Sequence, residues 1–422
     1  MKACIYSVLE NKSLSSRYLF CFLGAAILQS LLSPLGATAS FFPFLFIFVI
    51  MMLDLSFYIK WRRIYLFCML LLCTLALGLH GILTAKDLFF PFLGIVCISS
   101  LSERVFILPE LIYKYFLFVI IPTSIINWAM GNPVSWIPNS NMSMNIYGMG
   151  TKHGTAIVGY ALFLASSSNL YYKNKINLSY KAMKVDLFFW LLSFYLVFFS
   201  TSRSVFMCQL GVCLLFFINI HRMRKQTSIV ASALLIVSVF FLEYLSDFVP
   251  YLSKNELISS FIHTDNFEQY GVTSGRSWLW GYHLSEFANS KWFLGGGREV
   301  VDFSVGDWVA SLGMEAKAGG ESYYTGVLAC YGLMGIVLML VHVVLFLYAV
   351  KRNNVVGMCV IFAAVYVTTT GVDLVSARST FSIMLLAFYF SSFKLTNLYA
   401  KYGSQLYSSS YFKAITYVSS RT

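Results

Sequence analysis

Apolar runs of roughly 17 to 25 residues recur along almost the whole chain, parted by short polar or basic connections. A helix of that length rises about 1.5 Å per residue and so crosses a hydrocarbon layer about 30 Å thick. The pattern predicts about twelve transmembrane helices, near 18–35, 41–59, 64–84, 88–102, 112–130, 154–172, 186–201, 204–220, 228–248, 323–349, 355–371 and 379–395, of which 88–102 is the shortest. It breaks twice. Residues 131–153, with Pro133, Pro138 and several asparagines, read as a loop, and 249–322 form a larger insertion between the ninth and tenth predicted helices. The expected fold is an all-α polytopic membrane protein. Residues 1–422 make one integral membrane domain, with the large loop inserted in it.

Composition agrees: 58% of the 422 residues are hydrophobic and only 11% charged, more apolar surface than one aqueous core can hide. Basic residues set the expected orientation, because lysine and arginine are preferentially retained in the cytoplasm. With the N-terminus inside, most of the 30 lysines and arginines fall in cytoplasmic turns, among them Lys60, Arg62, Arg63, Lys173, Lys184, Lys351 and Arg352. Both termini are then cytoplasmic and the large loop is outside. The net charge of +12 is thereby spread over short loops, which speaks against nucleic-acid binding.

None of the nine cysteines falls in a predicted outside loop, and no zinc spacing or disulfide framework appears. A basic stretch, an apolar run and Ala37-Thr38-Ala39 mimic a secretory signal. The run exceeds a signal's usual length, so an uncleaved first helix is expected.

In the large loop acids outnumber bases, as suits a solvated domain. There Thr273-Ser274-Gly275-Arg276 precedes a helical pattern in which Trp278, Leu279, Tyr282 and Phe287 fall near one apolar face. Ser274 as N-cap puts Arg276 in the first turn, where backbone N–H groups and a guanidinium together suit an anion; pairing of Arg276 with Asp265 or Glu268 is the alternative. Trp278, Trp280, Trp292 and Trp308 all lie in this loop, fitted either to stack on sugar faces or to rest at a membrane interface. Gly295-Gly296-Gly297 reads as a turn.

Charges at the rim of an apolar wall carry the functional signal, since such charges are costly. Ser200-Thr201-Ser202-Arg203-Ser204 joins two helices with almost no loop, placing Arg203 at the outer rim, where it grips phosphate or snorkels to headgroups. Glu321, in Gly319-Gly320-Glu321-Ser322, stands directly before the predicted helix 323–349. It is either an ordinary first-turn acid or the group that orients or deprotonates a sugar hydroxyl. Asp373 and Arg378 share the last outside turn and can pair. His153 starts the helix after the first loop, in a structural or binding role. Glu243, Asp247 and Asp54 are read as structural. Arginines with one carboxylate and no metal ligands fit transfer from a lipid diphosphate, a good leaving group whose developing charge guanidinium groups stabilise without nucleotide sugar or cofactor.

These motifs resemble the superfamily of bacterial O-antigen polymerases and ligases. The resemblance covers roughly 140–395: Gly148-Met149-Gly150-Thr151 with Gly154-Thr155-Ala156, the Ser-Thr-Ser-Arg ending at Arg203, Ser274-Gly275-Arg276 followed by Trp280, Leu294-Gly295-Gly296-Gly297, Glu321-Ser322-Tyr323-Tyr324, and Tyr331-Gly332-Leu333-Met334-Gly335-Ile336. In the ligases it implies arginines at the places of Arg203 and Arg276 and a histidine eleven residues ahead of the Gly-x-x-Gly. Here that position is Glu321, which favours the polymerase branch. The resemblance implies a membrane glycosyltransferase C fold in the bacterial inner membrane with a periplasmic active site. Its substrates would be undecaprenyl-diphosphate-linked oligosaccharides, its surroundings membrane lipids, and a chain-length regulator a candidate partner.

The expected function is an O-antigen polymerase. Arg203 and Arg276 hold the donor diphosphate, Glu321 the acceptor hydroxyl, Arg378 assists, and Trp278, Trp280 and His153 contribute to binding. A ligase acting on lipid A core is the alternative within the class. A lipid-linked oligosaccharide flippase is the alternative outside it, although the single late loop lacks a transporter's repeated halves.

Overall fold

A computed structural model describes residues 109–131, 134–138, 144–146, 152–175, 180–200, 202–220, 225–240, 276–289, 295–296, 325–326, 328–329, 332–369, 388–389, 392–393 and 396. The first four apolar runs, and Asp54, Glu243 and Asp247, lie outside the described residues. All regular structure among the described residues is helical, with one isolated antiparallel bridge, Ser135 to Asn145, and no strand. One stretch, Ile112–Ala129, is by itself long and apolar enough to cross a membrane, and shorter apolar helices occupy Val205–Ile220, Gln226–Ser238 and His342–Lys351.

The first helical run is not uniform. α1 (Pro109–Tyr115) passes into a π turn, Phe116–Ile120, before α2 (Ile121–Ala129). Pro122 explains the widening: it has no N–H to give, and its ring crowds the carbonyl of Phe118 four residues back. The N–H of Ile121 instead reaches the Phe116 carbonyl, one residue further than in an α-helix.

α3 (Lys152–Lys175) is the hub and packs against α1, α4, α5 and α9, the last three being Tyr180–Phe199, Arg203–Ile220 and Val355–Thr369. Every position from Val158 to Asn169 is buried, including the polar run Ser166, Ser167, Ser168 and Asn169. Its closest partner is α4. A Cβ added to Gly159 would stand 2.8 Å from Val197 Cγ2 and 3.2 Å from the Ser193 carbonyl oxygen, so the helices meet nearly backbone to backbone. We predict that Gly159→Val forces them apart and costs about 1–3 kcal/mol, whereas Gly281→Ala, with nothing within 4 Å of its added Cβ, costs nothing. Thermal unfolding of the two variants in detergent checks this; equal melting would refute it.

α4 begins six residues before the apolar run 186–201, because a helix tolerates charges that are paired, as Asp186 is below. α5 and α6 (Lys225–Phe240) follow, then α7 (Arg276–Asn289) in the large loop, then α8 (Leu333–Lys351) and α9. The predicted helix 323–349 is interrupted. Residues 325–326 and 328–329 are helical, but Gly332 takes φ +60° and caps α8, so the long helix starts only at Leu333. A left-handed residue is cheap only for glycine, and apolar flanks on both sides hide the break from a periodicity reading. Of the run 379–395 only residues 388–389 and 392–393 are described, all helical, as is Thr396.

Successive helices run antiparallel, which sorts the charges. At one end, Asn219 Nδ2 bonds Ser228 Oγ across the α5–α6 turn, and Tyr172 Oη meets Thr396 Oγ1 at 2.9 Å. One turn earlier, Ser392 Oγ accepts from Asn354 Nδ2 at 2.6 Å in the α8–α9 turn, where Asn354 Oδ1 also caps α9 by accepting from the Gly357 N–H. Lys114, Lys173, Lys184, Lys225, Lys351 and Arg352 occupy positions at this end. Lys152 and Arg203 open helices at the other. Outer faces stay apolar: Phe188 and Leu191 of α4, Phe217 of α5, Leu234 of α6 and Val344 of α8 are all exposed.

Candidate active site

The end remote from the lysines is built by a crossing loop. Ser135 and Asn145 exchange backbone bonds of 2.8 and 3.1 Å, which folds the loop back on itself. Trp136 Nε1 donates to Ser124 Oγ at 2.7 Å, fastening the loop to α2. On its return, the Met144 N–H reaches the Phe199 carbonyl at 2.8 Å, and the Ile146 N–H reaches Thr155 Oγ1 at 3.1 Å, so the loop straps the end of α4 to the start of α3. Met144 and Ile146 are buried beneath it.

Between α4 and α5 only Ser200, Thr201 and Ser202 intervene. Ser200 and Ser202 are both buried. The Ser202 carbonyl accepts the Phe206 N–H at 3.0 Å, which makes Ser202 the residue preceding the first turn of α5 and Arg203 the first within it. The tight junction expected there is present. Arg203 thus sits by position beside the strap, at the same end as His153, the second residue of α3. The side chains of Arg203, His153, Arg276 and Trp278 lie outside the described residues, as do Glu321, Asp373 and Arg378 altogether.

α7 begins at Arg276, so the anticipated helix is found, and Ser274 lies outside the described residues. Its buried residues are Trp280, Tyr282 and His283, while Phe287 is half-buried; the sequence reading placed Tyr282 and Phe287 inward but did not single out His283. Trp280, 7% exposed, joins the same continuous core as α1, α3, α4, α5 and α9. His283 is fully buried, and its Nδ1 lies 3.0 Å from Thr325 Oγ1. Burial without a charged partner pushes the His283 pKa down to about 4, so the ring is neutral near pH 7. Gly295 turns with φ +73°, and the Gly296 N–H donates to the Ala329 carbonyl at 2.7 Å. The loop is therefore fastened twice to residues 325–329, the stretch that leads into α8 at the end away from Lys351. Thr325 follows Glu321 by four residues in the chain.

A second polar cluster, missed by the sequence reading, sits at the opposite end. Asp186, 1% exposed, accepts from Lys173 Nζ at 2.7 Å on one oxygen and from Tyr113 Oη and Asn169 Nδ2, both at 2.9 Å, on the other. One carboxylate thus ties α1, α3 and α4. The available signal was an acid inside an otherwise apolar and basic helix, one hairpin turn from a lysine. Among the described residues no three His, Cys, Asp or Glu side chains converge in a metal-binding group.

The chain matches no protein-family profile and no curated protein sequence.

Proposed function

We propose that the protein is an O-antigen polymerase of the bacterial inner membrane, of the membrane glycosyltransferase C type with about twelve spans. It transfers a growing glycan from undecaprenyl diphosphate to the next lipid-linked repeat unit at the periplasmic face. The observation that carries the reading is positional: Arg203 opens a helix at the end of the bundle remote from the lysine-bearing turns, and the helix that Arg276 opens is fastened to the segment entering α8 at that end. Exposed apolar faces around a buried hub with a polar run support a lipid surrounding, since lipid favours apolar exteriors and tolerates hydrogen-bonding interiors.

In the proposed reaction an acceptor hydroxyl oxygen attacks the anomeric carbon of the donor sugar. The bond from that carbon to the diphosphate oxygen breaks, and undecaprenyl diphosphate leaves with the electron pair. The hydroxyl proton passes to Glu321 or to water that Glu321 orients. Arg203 and Arg276 stabilise the charge growing on the departing diphosphate, with Arg378 assisting. His153, Trp278 and Trp280 contribute to substrate binding.

The test is purified full-length protein given one undecaprenyl-diphosphate-linked repeat unit, with chelator and without nucleotide sugar. The expected product is a ladder rising by whole repeats. Absence of the ladder, or its dependence on added nucleotide sugar, sinks the reading.

A further inference from the structure

Within α7, Arg276, Trp280 and His283 stand at positions i, i+4 and i+7, one face of the helix by register. His283 is fully buried on that face, held at Nδ1 by Thr325 Oγ1, while its Nε2 has no hydrogen-bond partner among the described residues. A buried ring nitrogen left unbonded costs about 1–3 kcal/mol, so native folds keep one where a ligand or water completes it.

We infer that His283 Nε2 binds a sugar hydroxyl of the lipid-linked glycan, in the crevice between α7 and the segment at Thr325. The inference rests on the glycan-transfer reading and adds a binding residue to it. Neutral imidazole carries one N–H and one lone pair. Whichever way the bond to Thr325 is polarised, Nε2 is left as either a donor or an acceptor, and a hydroxyl can answer both. A diphosphate can only accept and would favour a cationic partner, which desolvation at this position opposes. The division of labour that follows puts the diphosphate with the arginines and the sugar with His283.

Two substitutions separate a sugar contact from a packing role. Asparagine places its amide near the Nδ1 position and keeps the Thr325 bond, whereas glutamine reaches the Nε2 position. Binding to purified full-length protein is measured with two probes, the undecaprenyl-diphosphate repeat unit and undecaprenyl diphosphate without sugar. We expect His283→Asn to weaken the sugar-bearing probe about tenfold and leave the sugar-free probe unchanged, and His283→Gln to stay within about threefold of wild type on both. Loss of both probes alike in His283→Asn would mark a folding role. No loss in either variant would mark a water-filled position. Each of these overturns the inference, as does a glutamine variant as weak as asparagine. If wild type forms no polymer but the probe split is found, the polymerase reading falls and His283 remains a sugar contact. A wild-type protein that binds neither probe overturns both.

Discussion

Lys173→Met is expected to destabilise the protein by about 3–5 kcal/mol, clearly more than Asp186→Asn. The asymmetry follows from exposure. Asp186 is 1% exposed and Lys173 is 17% exposed at the end of α3. Removing the lysine strands a carboxylate with only the Tyr113 hydroxyl and the Asn169 amide to answer it. Removing the acid leaves an ammonium on a long flexible stem that can swing to water or headgroups, and the new amide still accepts from Tyr113 and Asn169. The double variant should therefore be milder than Lys173→Met alone. Thermal unfolding of all four proteins in detergent gives the cycle. A double variant that melts below Lys173→Met, or an acid substitution that proves the worse of the two, contradicts the account.

Arg203→Ala is expected to lower glycan transfer about 100- to 1,000-fold under the proposed mechanism, the scale of losing one group that stabilises transition-state charge. Cells carrying it should display surface sugar of a single repeat. Arg203→Lys should recover only part of the rate, because an ammonium supplies charge without the paired N–H geometry that grips a phosphate. The variant should still fold: α5 starts from the Ser202 carbonyl and from a buried serine turn, neither of which uses the guanidinium. Unaltered polymer length in correctly folded Arg203→Ala protein would remove the arginine from the mechanism.

The hairpins α3 to α6 were legible in the chain because their apolar runs are long and their turns carry lysine or arginine, signals that need no tertiary information. The Ser200 to Arg203 junction and the helix opened by Arg276 were legible for the same local reason, a capping residue type at a boundary. The Asp186 cluster was not, since whether Lys173 and Asp186 face each other depends on the rotation of two helices about their axes. Nor was the break at Gly332, because the backbone reverses there without any change in apolarity. His153 drew attention beside Lys152 at a helix start, whereas His283, amid aromatic residues, carried no local mark. Its unpaired nitrogen emerges only once Thr325, 42 residues away, is brought alongside.

The buried polar run in α3 bears on how such a chain is made. At 24 residues α3 is long enough to span a bilayer, yet it falls short of the apolarity that would hold it there alone. If the bundle sits in lipid, α3 emerges from the ribosome as a segment that hydrocarbon would reject, and α4, the helix it fits most closely, is synthesised next. Insertion then proceeds by pairs, the later helix shielding the earlier one's serines from the acyl chains.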